Sequence, residues 1–83
     1  MALVYFDASA FVKLLVSEDG SDLAGALWDG ADAILSSRIA FPEVCAALGA
    51  AERDHRIAPS ARRRAVQTWQ ELWREVRAVE VTD

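Results

Sequence analysis

Cysteine is almost missing from this 83-residue chain: Cys45 is the only one. A single thiol excludes an internal disulfide and any multi-cysteine zinc site. Placed in an apolar stretch, it fits a reducing, cytosolic compartment. Positive charge is also scarce. Nine Lys and Arg stand against thirteen Asp and Glu, for a net charge of −4 and a pI of about 4.8. A general nucleic-acid binder would be basic. An acidic enzyme can still act on nucleic acid where a divalent metal neutralises an acidic site and bridges to phosphate. No apolar run is long enough to cross a bilayer. The start is no secretory signal either, since it lacks a basic segment and Asp7 and Lys13 interrupt its apolar run. A cytoplasmic location away from membranes is the expectation. Repeats, linkers and low-complexity segments are absent from the sequence.

What remains is one domain at most, with an apolar fraction of 53% that is high for so short a chain. Residues 2–7 read as a strand whose apolar run, Ala2 to Phe6, ends at Asp7, as in strands buried on both faces of a parallel sheet. A short helix is expected over 9–16, capped by Asp7 or Ser9, with Phe11, Leu14 and Leu15 on one side. Glu18-Asp19-Gly20-Ser21 is a turn. A second helix follows to about Trp28, with Leu23, Ala24, Leu27 and Trp28 as its stripe. Residues 33–36 make a second strand, and Ser36 and Ser37 offer capping groups for a third helix to about His55. Pro42 suits only a first turn, so that helix starts near Phe41 or bends at Pro42. Pro59 or Ser60 opens a fourth helix to about Val76, with Val66, Trp69, Leu72, Trp73 and Val76 as its stripe. Residues 77–81 read as a third strand. Strands alternating with helical crossovers predict an α/β fold, a parallel sheet with helices on both faces. Three strands would leave two open edges, and Thr82-Asp83 looks like the start of a further helix. An incomplete domain is therefore expected.

Two acids stand out. Asp7 ends the first strand, and ligands of open parallel sheets bind beyond the carboxyl ends of strands. Glu43 lies on or beside the stripe Ala40, Val44, Ala47, Leu48 and Ala51, early in a helix that follows the second strand. Both are expected at one end of the sheet and facing inward. Burying an ionised carboxylate is costly without a cation, and carboxylate oxygens suit magnesium or manganese. Such a metal would activate water and stabilise charge developing on phosphate. The plainer alternatives are that Asp7 is only an N-cap and that Glu43 pairs with Arg38.

At these residues the chain resembles a family. Val4-Tyr5-Phe6-Asp7-Ala8-Ser9-Ala10-Phe11-Val12-Lys13-Leu14 resembles the opening of a PIN domain, specifically of a VapC-type toxin of a toxin–antitoxin pair. Ser36-Ser37-Arg38-Ile39-Ala40-Phe41-Pro42-Glu43-Val44-Cys45-Ala46-Ala47-Leu48 resembles that family's second motif, and the Glu18–Ser21 turn also fits. The likeness covers essentially the whole chain, residues 1–83, as the N-terminal part of one PIN-like domain. It implies a magnesium- or manganese-dependent endoribonuclease, a hydrolase of RNA phosphodiester bonds. Asp7 and Glu43 would be metal-ligating and catalytic acids, and Ser9 would support the site by hydrogen bonding near Asp7. A homodimer and an antitoxin that masks the acidic groove are implied partners. The family carries a third acid, and usually a fourth, further along. Glu80 and Asp83 lack the surrounding motif, so neither is assigned that part. A truncated, inactive remnant acting through dimerisation or antitoxin binding is the second reading. A phosphate-receiver-like domain using Asp7 as acceptor is a third, and it lacks the downstream lysine it would need.

Other residues have plainer readings. Arg62-Arg63-Arg64 begin the fourth helix, where positive charge is unfavourable. They could touch RNA phosphates or an acidic partner, but a solvated run is preferred. Trp69 and Trp73 could stack on bases, and their helical spacing favours core or dimer interface. His55 reads as a surface residue at a helix end. Cys45 reads as a small buried hydrophobe.

Overall fold

A computed structural model of the chain describes residues 1–79. The elements are β1 (Leu3–Tyr5), α1 (Ala8–Leu15), α2 (Ser21–Gly30), β2 (Ala33–Ser37), α3 (Ala40–Arg53), α4 (Pro59–Trp73) and β3 (Val76–Val79). Their order and kinds are those expected from the sequence. The proposed strand over 77–81 starts one residue earlier, and its last two residues lie outside the described ones. The three strands form one parallel sheet in the order β1-β2-β3, with Val4 opposite Ile34 and Ile34 opposite Val76.

Local chemistry accounts for the boundaries. Pro59 sits at the first position of α4, where its missing N–H costs nothing. Pro42 falls in the first turn of α3 and leaves that helix intact. The C-terminus of α3 closes as a Schellman motif: the His55 amide donates to the Glu52 carbonyl at 3.0 Å and the Arg56 amide to the Ala51 carbonyl at 2.9 Å. His55 takes the left-handed conformation this requires, with φ +58°. Gly20 precedes α2 at φ +91°, and a Cβ there would lie 2.9 Å from the Lys13 side chain.

The core lies on one side of the sheet. Phe6 and Ile34 are buried with Phe11, Val44, Leu48 and Trp69, and Val4 and Val76 pack against them. Rings interlock there: Phe11 lies 4.7 Å from Trp69 and 5.2 Å from Phe6, and Phe41 stacks on Trp69 at 5.6 Å. Trp69 is fully buried, and its indole N–H donates to the Phe41 carbonyl. Trp69 is thus core, and half-buried Trp73 packs against it at 5.4 Å between ring centres.

The expected burial of β1 on both faces is corrected. Leu3 and Tyr5 are 56% and 57% exposed while Phe6 is 1% exposed. Right-handed crossovers running in one direction along a sheet put their helices on the same face. The helical layer therefore covers the Phe6–Ile34–Val76 face and leaves Leu3 and Tyr5, on the other face, exposed. The α2 stripe is narrower than expected as well. Ala24 is buried and Trp28 packs edge-on against Phe6, but Leu23 and Leu27 are exposed.

Candidate functional site

Asp7 follows β1 directly and is the N-cap of α1. Its carboxylate Oδ1 accepts the Ala10 amide and the Ser9 hydroxyl, each at 2.9 Å. Those two hydrogen bonds, the Ala10 amide first and Ser9 second, hold its pKa below the usual 3.8 against a small opposing effect of burial, and Lys13 adds a weaker pull. The carboxylate is thereby kept ionised. Both hydrogen bonds land on Oδ1, which leaves Oδ2 for a further ligand. Ser9 makes the contact expected of a supporting residue.

The backbone beneath Asp7 is tied down from β2. The Phe6 amide donates to the Leu35 carbonyl at 2.9 Å, and the buried Ser36 hydroxyl donates to the Phe6 carbonyl at 2.7 Å. The sequence suggested Ser36 as a helix cap. Its inward position, two residues after Ile34 in an apolar strand, was the available sign that it serves β1 instead. Ser37 does not cap α3 either: its hydroxyl accepts the Ile39 amide at 3.3 Å in the turn before the helix, which begins without a side-chain cap.

Glu43 lies in the first turn of α3, which leaves the carboxyl end of β2. Adjacent parallel strands thus deliver Asp7 and Glu43 to the same end of the sheet. Neither faces inward. Both are exposed, and Val44 next to Glu43 is the buried residue of that turn. The helix phase that buries Ala40, Val44, Leu48 and Ala51 turns Glu43 outward.

The donor set suits magnesium or manganese in kind. It offers hard, ionised oxygens, and magnesium is commonly held by one or two carboxylates with water and phosphate completing the shell. No group of three His, Cys, Asp or Glu able to hold a metal occurs among the described residues. Glu80 and Asp83 lie outside them. Cys45 is half-buried against the core, and His55 is exposed at the far end of α3. No helix among the described residues is long and apolar enough to cross a membrane.

No protein-family model matches the chain. Two curated proteins do, each 60% identical over 82 residues: Ribonuclease VapC45 of Mycobacterium tuberculosis strain CDC 1551 / Oshkosh and Ribonuclease VapC49 of strain ATCC 25618 / H37Rv. The chain resembles VapC-type ribonucleases. The match takes in 99% of this chain and 57% of each relative, so the chain spans little more than half the length of the proteins it matches. Both acid-bearing segments, β1–α1 and β2–α3, fall within the shared stretch.

Proposed function

We propose that the chain carries the first two acids of a metal-dependent endoribonuclease, the toxin of a toxin–antitoxin pair. One observation bears most of the weight: an ionised N-cap aspartate and an exposed glutamate leave adjacent parallel strands at the same end of the sheet. The names of the two curated relatives support RNA as the substrate.

In this reading Asp7 and Glu43 hold magnesium or manganese. The metal, when bound, supplies a water of lowered pKa and positive charge for the phosphate. Asp7 presents Oδ2 while the Ala10 amide and Ser9 hydroxyl hold Oδ1. The Ser36–Phe6 tie fixes the strand end that carries Asp7. Glu43 enters from α3, so the two acids are carried on separate elements whose packing sets their relation.

RNA cleavage by the chain with magnesium or manganese, against EDTA, tests this. Cleavage should vanish in Asp7→Asn and in Glu43→Gln while the circular dichroism spectrum is unchanged. Activity retained in both variants would sink the assignment.

The open Leu3–Tyr5 face supports a second reading, in which the chain acts through association with a second copy or an antitoxin. Light scattering after size exclusion checks this, and a stable, well-folded monomer counts against it.

A further inference from the structure

Five of the nine basic residues, Arg53, Arg56, Arg62, Arg63 and Arg64, fall within residues 53–64, together with only one of the thirteen acids, Asp54. The fold gathers them at one place, the tip where α3 turns into α4. Among the described residues a single ion pair offsets them, Arg62 with Glu52 across the turn. Arg53, Arg56, Arg63 and Arg64 are exposed there and make no ion pair among the described residues. The first turn of α4 contains no acid. An otherwise acidic molecule therefore carries a concentrated positive pole.

That pole is remote from the acid pair. Ten residues of α3 separate Glu43 from Arg53, about 15 Å along the helix axis. Beside it, Leu14, Leu15, Ala61 and Ala65 line a shallow groove with Arg64 and Thr68. An apolar floor with a guanidinium beside it suits a nucleotide, whose base and phosphate need different surroundings. Arginine in particular recognises phosphate through two parallel hydrogen bonds.

We infer that the α3–α4 tip is an RNA-anchoring surface that holds the backbone of single-stranded RNA away from the acid pair. The identity of the polyanion rests on the ribonuclease reading. The physical need is independent of it: an acidic molecule repels RNA everywhere except where positive charge is concentrated.

The test is binding of a labelled oligouridylate to the full chain in EDTA, by fluorescence anisotropy over a range of salt. Each single-stranded phosphate contact contributes about 0.7 to the slope of log affinity against log salt. Arg63→Gln/Arg64→Gln should therefore lower the slope by about 1.4. Arg74→Gln/Arg77→Gln removes the same charge far from the tip and should leave the slope unchanged. Equal losses in the two double variants, or no binding by the unsubstituted chain, overturn the inference. Oligoglutamate binding in place of oligouridylate also overturns it, in favour of an acidic polypeptide. Tip-dependent binding without metal-dependent cleavage in the unsubstituted chain would defeat the ribonuclease reading alone. Cleavage with no tip dependence of binding would defeat this inference alone.

Discussion

At the scale of single residues, Asp7 has two separable duties. As an N-cap it satisfies the Ala10 amide, and as an acid it offers charge beyond the strand end. Asparagine caps helices about as well as aspartate, whereas alanine typically costs about 1 kcal/mol. Asp7→Asn should accordingly melt near the parent temperature and Asp7→Ala below it, as thermal denaturation will show. The charge adds a pH signature. Because folding lowers the Asp7 pKa below 3.8, its contribution is fully present at neutral pH. It falls as the pH drops past the unfolded value and is lost once the pH passes below the depressed folded one. Asp7→Asn should flatten this acid limb in melts taken from neutral pH downward. An unaltered limb would mean that other carboxylates carry it. Asp7 was legible in the sequence because it closes the apolar run of β1 and opens α1, a position where helix capping and a place beyond the strand end coincide. The outward direction of Glu43 was not, since neighbouring helical positions point about 100° apart and spacing alone does not set the phase that buries Val44 and exposes Glu43.

At the scale of elements, the α3 terminus shows how a helix can end without glycine. His55 occupies the left-handed position of the Schellman motif, which a β-carbon disfavours. Histidine visits that region more readily than most residues, yet glycine does so without strain. His55→Gly should raise unfolding free energy by about 1 kcal/mol in urea denaturation without altering the fold. The histidine was visible in the sequence as a helix-end residue. Its backbone conformation was not, because a positive φ depends on the chain's path into α4. The tie from β2 to β1 is a stronger constraint. Ser36 is fully buried, and its hydroxyl serves the Phe6 carbonyl. Ser36→Ala leaves that carbonyl without its hydroxyl partner, at a cost of about 1–3 kcal/mol. Urea denaturation measures it, and Ser36→Thr should recover part of the loss where the added methyl is accommodated. Element order was readable because the Asp7 cap, Pro59 and the apolar runs agree. Which face each strand buries required the crossovers, a property of the sheet rather than of any one strand.

At the scale of the whole molecule, one-sided burial determines where stability resides. A chain this small buries only about 60–65% of its unfolded surface, and here the buried apolar surface is concentrated on one face of the sheet. Trp69 stands at the centre of that face. It is fully buried, contacts Phe11, Phe41 and Trp73 ring to ring, and hydrogen-bonds the Phe41 carbonyl at the start of α3. It therefore joins α4 to both acid-bearing helices, α1 through Phe11 and α3 through Phe41. Truncating a buried tryptophan to alanine costs about 3–5 kcal/mol, comparable with the lower end of total domain stability of about 5 kcal/mol. Trp69→Ala should lose the cooperative thermal transition, with near-ultraviolet circular dichroism collapsing alongside it. Trp69→Phe retains most of the ring packing and gives up the indole hydrogen bond, so it should stay folded with a lower midpoint. A cooperative, near-parental melt from Trp69→Ala would show that the α3–α4 hairpin is not held by this ring cluster. The geometry relating Asp7 to Glu43 would then have to be set by the β1–β2 ladder and the direct packing of α1 on α3.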